Sequence, residues 1–173
     1  MRVFFLSDLH LEDGDADASE RLSLFLRQLP QQNDILILGG DIFDLFVGNK
    51  QVFRRRHAKS IESIREVSSR GVIFHYLEGN HDFHFSGVFA DCSNICVHRG
   101  DFELSANGRR IWVSHGDLID PEDTGYRLLR AVTKNAAFKL FGPNLGADRT
   151  ARIASTVSNY ASALYEQSRR TGQ

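Results

Sequence analysis

Residues 35–44 read Ile35-Leu36-Ile37-Leu38-Gly39-Gly40-Asp41-Ile42-Phe43-Asp44. An unbroken apolar run that ends in two glycines and an acid describes a strand buried on both faces and closed by a tight polar loop. The same grammar recurs along the chain. Val3-Phe4-Phe5-Leu6 runs into Asp8-Leu9-His10, and Val72-Ile73-Phe74-His75-Tyr76-Leu77 runs into Gly79-Asn80-His81-Asp82. Ile111-Trp112-Val113 runs into Ser114-His115-Gly116-Asp117. The residues just past strand ends are where α/β proteins build their sites. These ends deliver Asp, His, Asp, Asn and His, a donor set suited to hard-to-borderline divalent metals.

The segments between the strands follow a different period. Residues 18–29 place Leu22, Phe25, Leu26 and Leu29 on one helical face, and Pro30 with Asn33-Asp34 closes the segment. Residues 51–70 place Ala58, Ile61, Ile64 and Val67 at near-helical spacing, and Gly71 supplies the stop. The spacing therefore predicts strands at 2–7, 35–39 and 72–77 separated by helices at 18–29 and 51–70. That alternation argues for a mostly parallel sheet with helices on its faces. Residues 95–98 are expected to add a strand. Residues 101–105 and 109–114 form a hairpin through Asn107-Gly108, a strong turn signal.

After Asp117 the pattern becomes helical throughout. Leu128, Leu129, Val132, Ala136 and Leu140 form one stripe, Gly142-Pro143 breaks it, and Ile153, Val157, Tyr160, Ala161 and Leu164 form a second. Two amphipathic stretches joined by a short break read as a helical hairpin. The chain is read as a single domain, 1–173, with 122–170 as a helical cap. The cap mixes Arg127, Arg130, Lys134, Lys139, Arg149 and Arg152 with Phe138, Leu140, Phe141 and Leu145. Such a mixture suits an anionic head group with an acyl chain, or a membrane surface. The plainer reading is an amphipathic hairpin packed on the core.

Bulk properties narrow the class. The 173 residues suit one domain with a sizeable core. Twenty-one basic and 22 acidic residues leave no basic excess, so no nucleic-acid partner is expected. The 13 phenylalanines are read mostly as core. Cys92 and Cys96 are the sole cysteines and are expected to be free thiols, which fits a reducing cytosol. The apolar stretch at the N-terminus is too short for a signal peptide, and no run approaches the roughly 20 residues of a membrane span. The expected location is the cytoplasm, with a peripheral position at the inner membrane.

In the order D-x-H, G-D-x-x-D, G-N-H-D and a strand ending in His-Gly, the chain resembles the calcineurin-like metallophosphoesterase superfamily over residues 3–117. From His115 onward, His115-Gly116-Asp117, Asp123, Gly125-Tyr126 and the basic-apolar helix resemble the bacterial UDP-2,3-diacylglucosamine pyrophosphatases, which cut a nucleotide pyrophosphate in lipid A synthesis. The resemblance implies an α/β fold of the metallophosphoesterase type, an αββα sandwich with a helical-hairpin cap. It implies two divalent metal ions, manganese by the likeness. Asp41 would bridge them, Asp8 and His10 would serve the first, and Asn80 and His115 the second. Paired metals acidify water and take up charge on phosphoryl oxygens. His81 is implied as the non-ligand catalytic residue, with Asp82 fixing its tautomer. Asn80, His81, Tyr126 and Arg130 are expected to touch substrate. That substrate is a phosphorylated small molecule or a lipid-linked nucleotide, with UDP-2,3-diacylglucosamine as the leading expectation.

The chain also departs from that pattern. Many of the lipid A enzymes carry Arg where this chain has His81, and Ser155-Thr156-Val157-Ser158-Asn159 stands where a basic run is expected. Another nucleotide or phosphodiester is therefore an alternative substrate, and a non-catalytic scaffold of the same fold is a further alternative. The superfamily pattern ends with Gly-His-x-His after the cap, yet no histidine follows His115. The expectation is a C-terminally incomplete chain, a fragment of a longer protein that works with a companion fragment. Asp44 and Asp117 are read as residues that orient ligands. His57 and His75 are read as structural or surface residues, His98 as hairpin surface, and Arg54-Arg55-Arg56 as a solvated face. His84 sits close enough to the site loop to reach substrate.

Overall fold

The structure, a computed structural model, describes residues 1–116. Four parallel strands form the central sheet: β1 (Val3–Leu6), β2 (Ile35–Leu38), β4 (Ile73–Leu77) and β6 (Ile95–His98), in the order β1-β2-β4-β6. Between the second and third of these in sequence runs the two-residue strand β3 (Phe46–Val47), which pairs in parallel with β5 (Asp82–Phe83). A hairpin of β7 (Phe102–Ala106) and β8 (Arg109–Val113) follows. The helices are α1 (Ala16–Gln28), α2 (Gln51–Arg56) and α3 (Ala58–Ser69).

Period-two alternation sorts the sheet into two faces. Ile35, Ile37 and Leu77 pack with Phe102, Ala106 and Val113, so the hairpin covers that face. Leu36, Leu38, Phe74 and Tyr76, fully buried, point the other way. On that side Phe4 meets Phe25 of α1 edge-on at 5.9 Å, and α1 lies along α3 through a buried Ser23–Ser63 hydrogen bond of 2.9 Å. The hairpin turn is the one Asn107-Gly108 predicts. Both residues take positive φ, 50° and 74°, which only Asn and Gly adopt at low cost.

The α/β class, the parallel alternation and the hairpin match the sequence reading. The predicted helix 51–70 is instead two helices that meet at His57. No Pro or Gly marks the bend. The hydrogen bonds His57 N–H to Phe53 and Ile61 N–H to His57 continue through it, at 3.1 and 3.0 Å. What changes is ψ of His57, at 23°. The bend seats the His57 ring against Phe43 and Phe46, at 4.6 and 5.8 Å, inside a cluster completed by Phe53, Phe85 and Tyr76. Burial lowers the His57 pKa, so the ring sits there as a neutral aromatic. Most phenylalanines among the described residues are core, as expected, but Phe5 is 54% exposed. Leu29, placed on the apolar face of the first helix, is 44% exposed, because it lies past the helix end and turns away from α3.

Other expectations resolve in detail. Gly71 ends α3 with φ of 85°. Arg70 donates to the carbonyls of Leu26 and Arg27, which lack partners within the last turn of α1. Arg55 and Arg56 are exposed as expected, with Arg56 paired to Asp13 at 3.2 Å, whereas Arg54 is half-buried and its Nε donates to the Gly48 carbonyl at 2.6 Å. His98 lies on β6 rather than on the hairpin, stacked on Phe102. Both cysteines are free. No helix among the described residues is long and apolar enough to cross a membrane. The cap segment 122–170, with Tyr126, Arg130, Phe138 and Phe141, lies outside the described residues, as does Asp117.

The start of the sheet is fastened by one buried carboxylate. Asp34 accepts from the backbone N–H of Arg2, from its Nε and Nη2, and from the N–H of Gln31. The Arg2 guanidinium, and then its backbone N–H, hold the Asp34 carboxyl well below the usual carboxylate range. A depressed folded-state pKa adds stability that is complete above the unfolded value and is lost as pH falls through the folded one. Asp34→Asn is expected to lower the urea midpoint at neutral pH. The gap to the native chain should narrow steadily below about pH 4, and a gap that stays constant with pH would show that the pair adds no charge-dependent stability.

Candidate metal centre

Because β1, β2 and β4 are neighbours in the sheet, their C-terminal ends bring Asp8 and His10, Asp41, and Asn80 and His81 side by side. The hairpin adds His115, just past β8. The loops are laced to one another. Asp8 N–H donates to the Gly40 carbonyl at 3.1 Å, His10 N–H to Asp41 at 3.0 Å and Leu11 N–H to Ile42 at 2.9 Å. Three of the expected ligands carry strained backbones: φ is 54° at Asp8, 45° at His10 and 53° at Asp41. A non-glycine residue in the left-handed region costs roughly 1–2 kcal/mol and clusters where geometry serves function. The strain turns each side chain toward its neighbours.

Asp41 stands between two donor sets. One consists of Asp8, His10 and Asp41 itself, whose ligand atoms all lie within 4.8 Å of one another. In the other, His115 Nε2 lies 3.3 Å from Asp41 Oδ2 and 3.1 Å from Asn80 Oδ1. The opposite ring nitrogen of His115, Nδ1, contacts the Gly39 carbonyl at 2.9 Å and must donate to it. Nε2 faces the Asp41 and Asn80 oxygens, both of which present lone pairs. Such a trio repels unless a proton or a cation lies between its members. The donor set of carboxylate, amide oxygen and imidazole fits a divalent metal. Asp41 is 4% exposed. Burial alone would raise its pKa, but the His115 ring and the His81 backbone N–H outweigh burial and the net shift is downward. Asp41 is therefore ionised at neutral pH, as a ligand must be.

Two glycines allow this crowding. A Cβ on Gly79 would fall 2.0 Å from Asp41 Oδ1, and one on Gly40 would fall 2.7 Å from His115 Nδ1. Either would push a donor out of place.

His81 sits at the mouth, its ring edge-on to His10 with centroids 4.9 Å apart. Its Nδ1 contacts the Asp44 carbonyl at 2.6 Å, which places the proton on Nδ1 and the lone pair on Nε2. The tautomer is thus fixed by Asp44 and not, as expected, by Asp82. The Asp44 carboxylate lies 3.8 Å from Nδ1 of both His10 and His81, close enough to orient both rings. His84 is buried beside Phe83, with φ of 64°.

Asp82 has a different role from the one its place after His81 suggests. It has no exposed surface. Its Oδ1 accepts from the N–H of Asp41 at 2.9 Å and of Gly79 at 3.0 Å. Its Oδ2 accepts from Ile42 at 2.7 Å, Phe43 at 3.3 Å and the Tyr76 hydroxyl at 2.7 Å. Burial, and then the Asp41 charge, push its pKa up to about 6, while the hydrogen bonds pull it back. It remains ionised at neutral pH, with its lone pairs satisfied by the two loops it joins. Tyr76 was not singled out from the sequence. The available signal was a phenol inside a buried apolar run, which needs a polar partner.

A family model described as calcineurin-like phosphoesterase matches residues 1–152. The UDP-2,3-diacylglucosamine hydrolase of Aeromonas salmonicida (strain A449) is 31% identical over 134 residues, covering 78% of this chain and 52% of that protein. Its namesake in Nitrosococcus oceani is 31% identical over 137 residues, covering 79% and 54%. The one in Photorhabdus laumondii subsp. laumondii is 30% identical over 130 residues, covering 75% and 54%. The chain spans about half the length of the curated relatives it matches.

Tyr76→Phe removes one donor to a buried carboxylate without changing the packing shape. The expected cost is roughly 1.5–3 kcal/mol, the range for a hydrogen bond to a charged group. Urea unfolding checks it through a lower midpoint at unchanged slope. A stability loss below about 0.5 kcal/mol would mean that the backbone donors alone hold Asp82.

Proposed function

The chain belongs to the calcineurin-like phosphoesterase family, and from that premise we propose that it is a metal-dependent hydrolase of a pyrophosphate bond, acting on UDP-2,3-diacylglucosamine at the cytoplasmic face of the inner membrane. The observation that carries the reading is the convergence of Asp41 Oδ2, Asn80 Oδ1 and His115 Nε2 beside the Asp8–His10–Asp41 set. In it, Asp41 would serve both sets, holding two divalent ions, manganese by family likeness. Bound there, such ions acidify water and neutralise charge on phosphoryl oxygens. The chain's own residues do the rest. Asp8 and His10 hold one side of the site, and Asn80 and His115 hold the other. His81, oriented through Nδ1 by the Asp44 carbonyl, faces the reacting group with Nε2, and a proton carried on Nε2 passes to the leaving oxygen or stabilises its charge. Water adds to phosphorus as the phosphorus–oxygen bond to the leaving phosphate breaks. In this reading Tyr126 and Arg130 contact the substrate. The relatives' names support the lipid-linked nucleotide as substrate.

A second reading keeps the chemistry and changes the substrate to another nucleotide or phosphodiester. It is favoured by His81, where many of the lipid A enzymes have Arg, and by the Ser155–Asn159 stretch that lacks basic residues. A turnover assay with manganese present, comparing UDP-2,3-diacylglucosamine with a small phosphodiester, separates the two. Faster use of the diacylated substrate supports the first reading. Use of the small phosphodiester alone supports the second.

Asp41→Asn is expected to abolish nearly all turnover while the fold survives, and a near-normal rate at saturating manganese would remove Asp41 from the bridging role. His81→Ala is expected to lower the rate by roughly a hundredfold or more yet keep its metal. Metal content measured beside the rate checks this, since loss of metal from the variant would make His81 a ligand.

A further inference from the structure

Away from the site just described, β4 and β6 carry a second cluster of ligand-bearing side chains. In the parallel register His75 lies beside Cys96, and Leu77 lies beside His98. Alternation therefore puts His75, Cys96 and His98 on one face of the sheet, the face toward the hairpin. Their ligand atoms all lie within 4.8 Å of one another. His75 Nδ1 and His98 Nε2 are 2.9 Å apart. Phe102 walls the cluster from the hairpin side, its ring stacked on His98 at 3.7 Å and on His75 at 5.2 Å. The imidazoles are partly buried and Cys96 is exposed. The cluster is thus held on the protein side and open to solvent on the other.

From this geometry we propose that His75, Cys96 and His98 form a separate site for a borderline divalent cation of the zinc class. Thiolate with two imidazoles is a donor set that selects zinc over manganese, magnesium or calcium. Zinc–nitrogen bonds of about 2.0–2.1 Å and a zinc–sulfur bond of about 2.3 Å put ligand atoms roughly 3.3–3.8 Å apart in a tetrahedron. Small rotations of the three side chains reach that spacing, and the ion replaces the hydrogen bond between the two rings. Water or a solute ligand takes the fourth position through the exposed side of Cys96. Burial lowers the pKa of both His75 and His98, which keeps the rings in the neutral form that binds metal. The ion would clip β4 to β6 beside the point where Glu78 N–H donates to the His98 carbonyl at 2.8 Å, just before the Gly79-Asn80 loop begins.

Sulfur distinguishes this site from the phosphoesterase centre, whose candidate ligands are all oxygen and nitrogen. Cys92 and Cys96 are the only cysteines in the sequence. Cobalt(II) titration of the metal-stripped full chain should therefore produce a thiolate-to-cobalt charge-transfer band in the near ultraviolet, which zinc displaces. Cys96→Ser should remove the band, and Cys92→Ser should keep it. His75→Gln and His98→Gln should each weaken cobalt binding by roughly tenfold or more. Zinc should also shield Cys96, but not Cys92, from alkylation. Cys96 is exposed, so its serine variant is expected to keep the native far-ultraviolet circular dichroism. Absence of the band at saturating cobalt in the native chain, or its persistence in Cys96→Ser, would overturn the assignment and leave the trio as a hydrogen-bonded stack on Phe102.

Discussion

The loop after β2 and the loop after β4 are tied together by the Asp82 carboxylate. Two loops that end neighbouring parallel strands both expose backbone N–H groups at their tips, and those groups have no strand partner left. Asp82 gathers them. It accepts from Asp41, Ile42 and Phe43 in one loop and from Gly79 in the other, with Tyr76 closing the set from below. A buried charge is tolerable only when its lone pairs are met, and here they are met by the groups that need fixing. The carboxylate that looked from the sequence like a partner for His81 is therefore a structural anion, and it sets the position of Asp41.

Fixing Asp41 has consequences for the chemistry of its neighbours. The left-handed backbones at Asp8, His10 and Asp41 are not the conformations these residues choose by themselves. Lacing bonds hold Asp8 and His10 against the second loop, and Asp82 holds the backbone of Asp41. Gly40 and Gly79 contribute by lacking side chains, since any Cβ would sit on the Asp41 carboxylate or the His115 ring. The outcome brings Asp41 Oδ2 and Asn80 Oδ1 within 3.3 and 3.1 Å of His115 Nε2. A proton or a cation between these atoms satisfies them, and the proposed function places a divalent cation there.

The sequence made much of this legible, and the reasons for the gaps are physical. Strand β2 was readable because burial on both faces leaves a continuous apolar run, β1 and β4 because their runs stay mostly apolar although Phe5 and Ile73 are exposed, and the motif after each because its polar residues break that run. The Asn107-Gly108 turn was readable because few residue pairs tolerate two positive φ angles. The bend at His57 was not, because the hydrogen-bond ladder runs through it and no breaker residue marks it. The short β3–β5 pair was also missed: two residues per strand carry no period. The role of Asp82 was misassigned because adjacency in sequence suggested His81, whereas the loop turns the two side chains apart. Asp44 was read as orienting neighbouring ligands, and its carboxylate lies 3.8 Å from Nδ1 of both His10 and His81. That its backbone carbonyl, rather than its carboxylate alone, does the orienting could not be read from residue type.

Strand β4 shows how little separates two chemistries on one sheet. Phe74 and Tyr76 point to the helical side, where the Tyr76 hydroxyl reaches Asp82 and so supports the phosphoesterase loop. His75 and Leu77 point to the hairpin side, where His75 meets Cys96 and His98. A shift of pairing by one residue would exchange these faces and bury His75 where Tyr76 belongs. The register is therefore under more constraint than apolar burial imposes. It is pinned from one face by a phenol that must find its carboxylate, and from the other by imidazoles stacked on Phe102. The polar residues inside this otherwise apolar strand act as register marks, and each carries a contact that no neighbouring position on the strand can make.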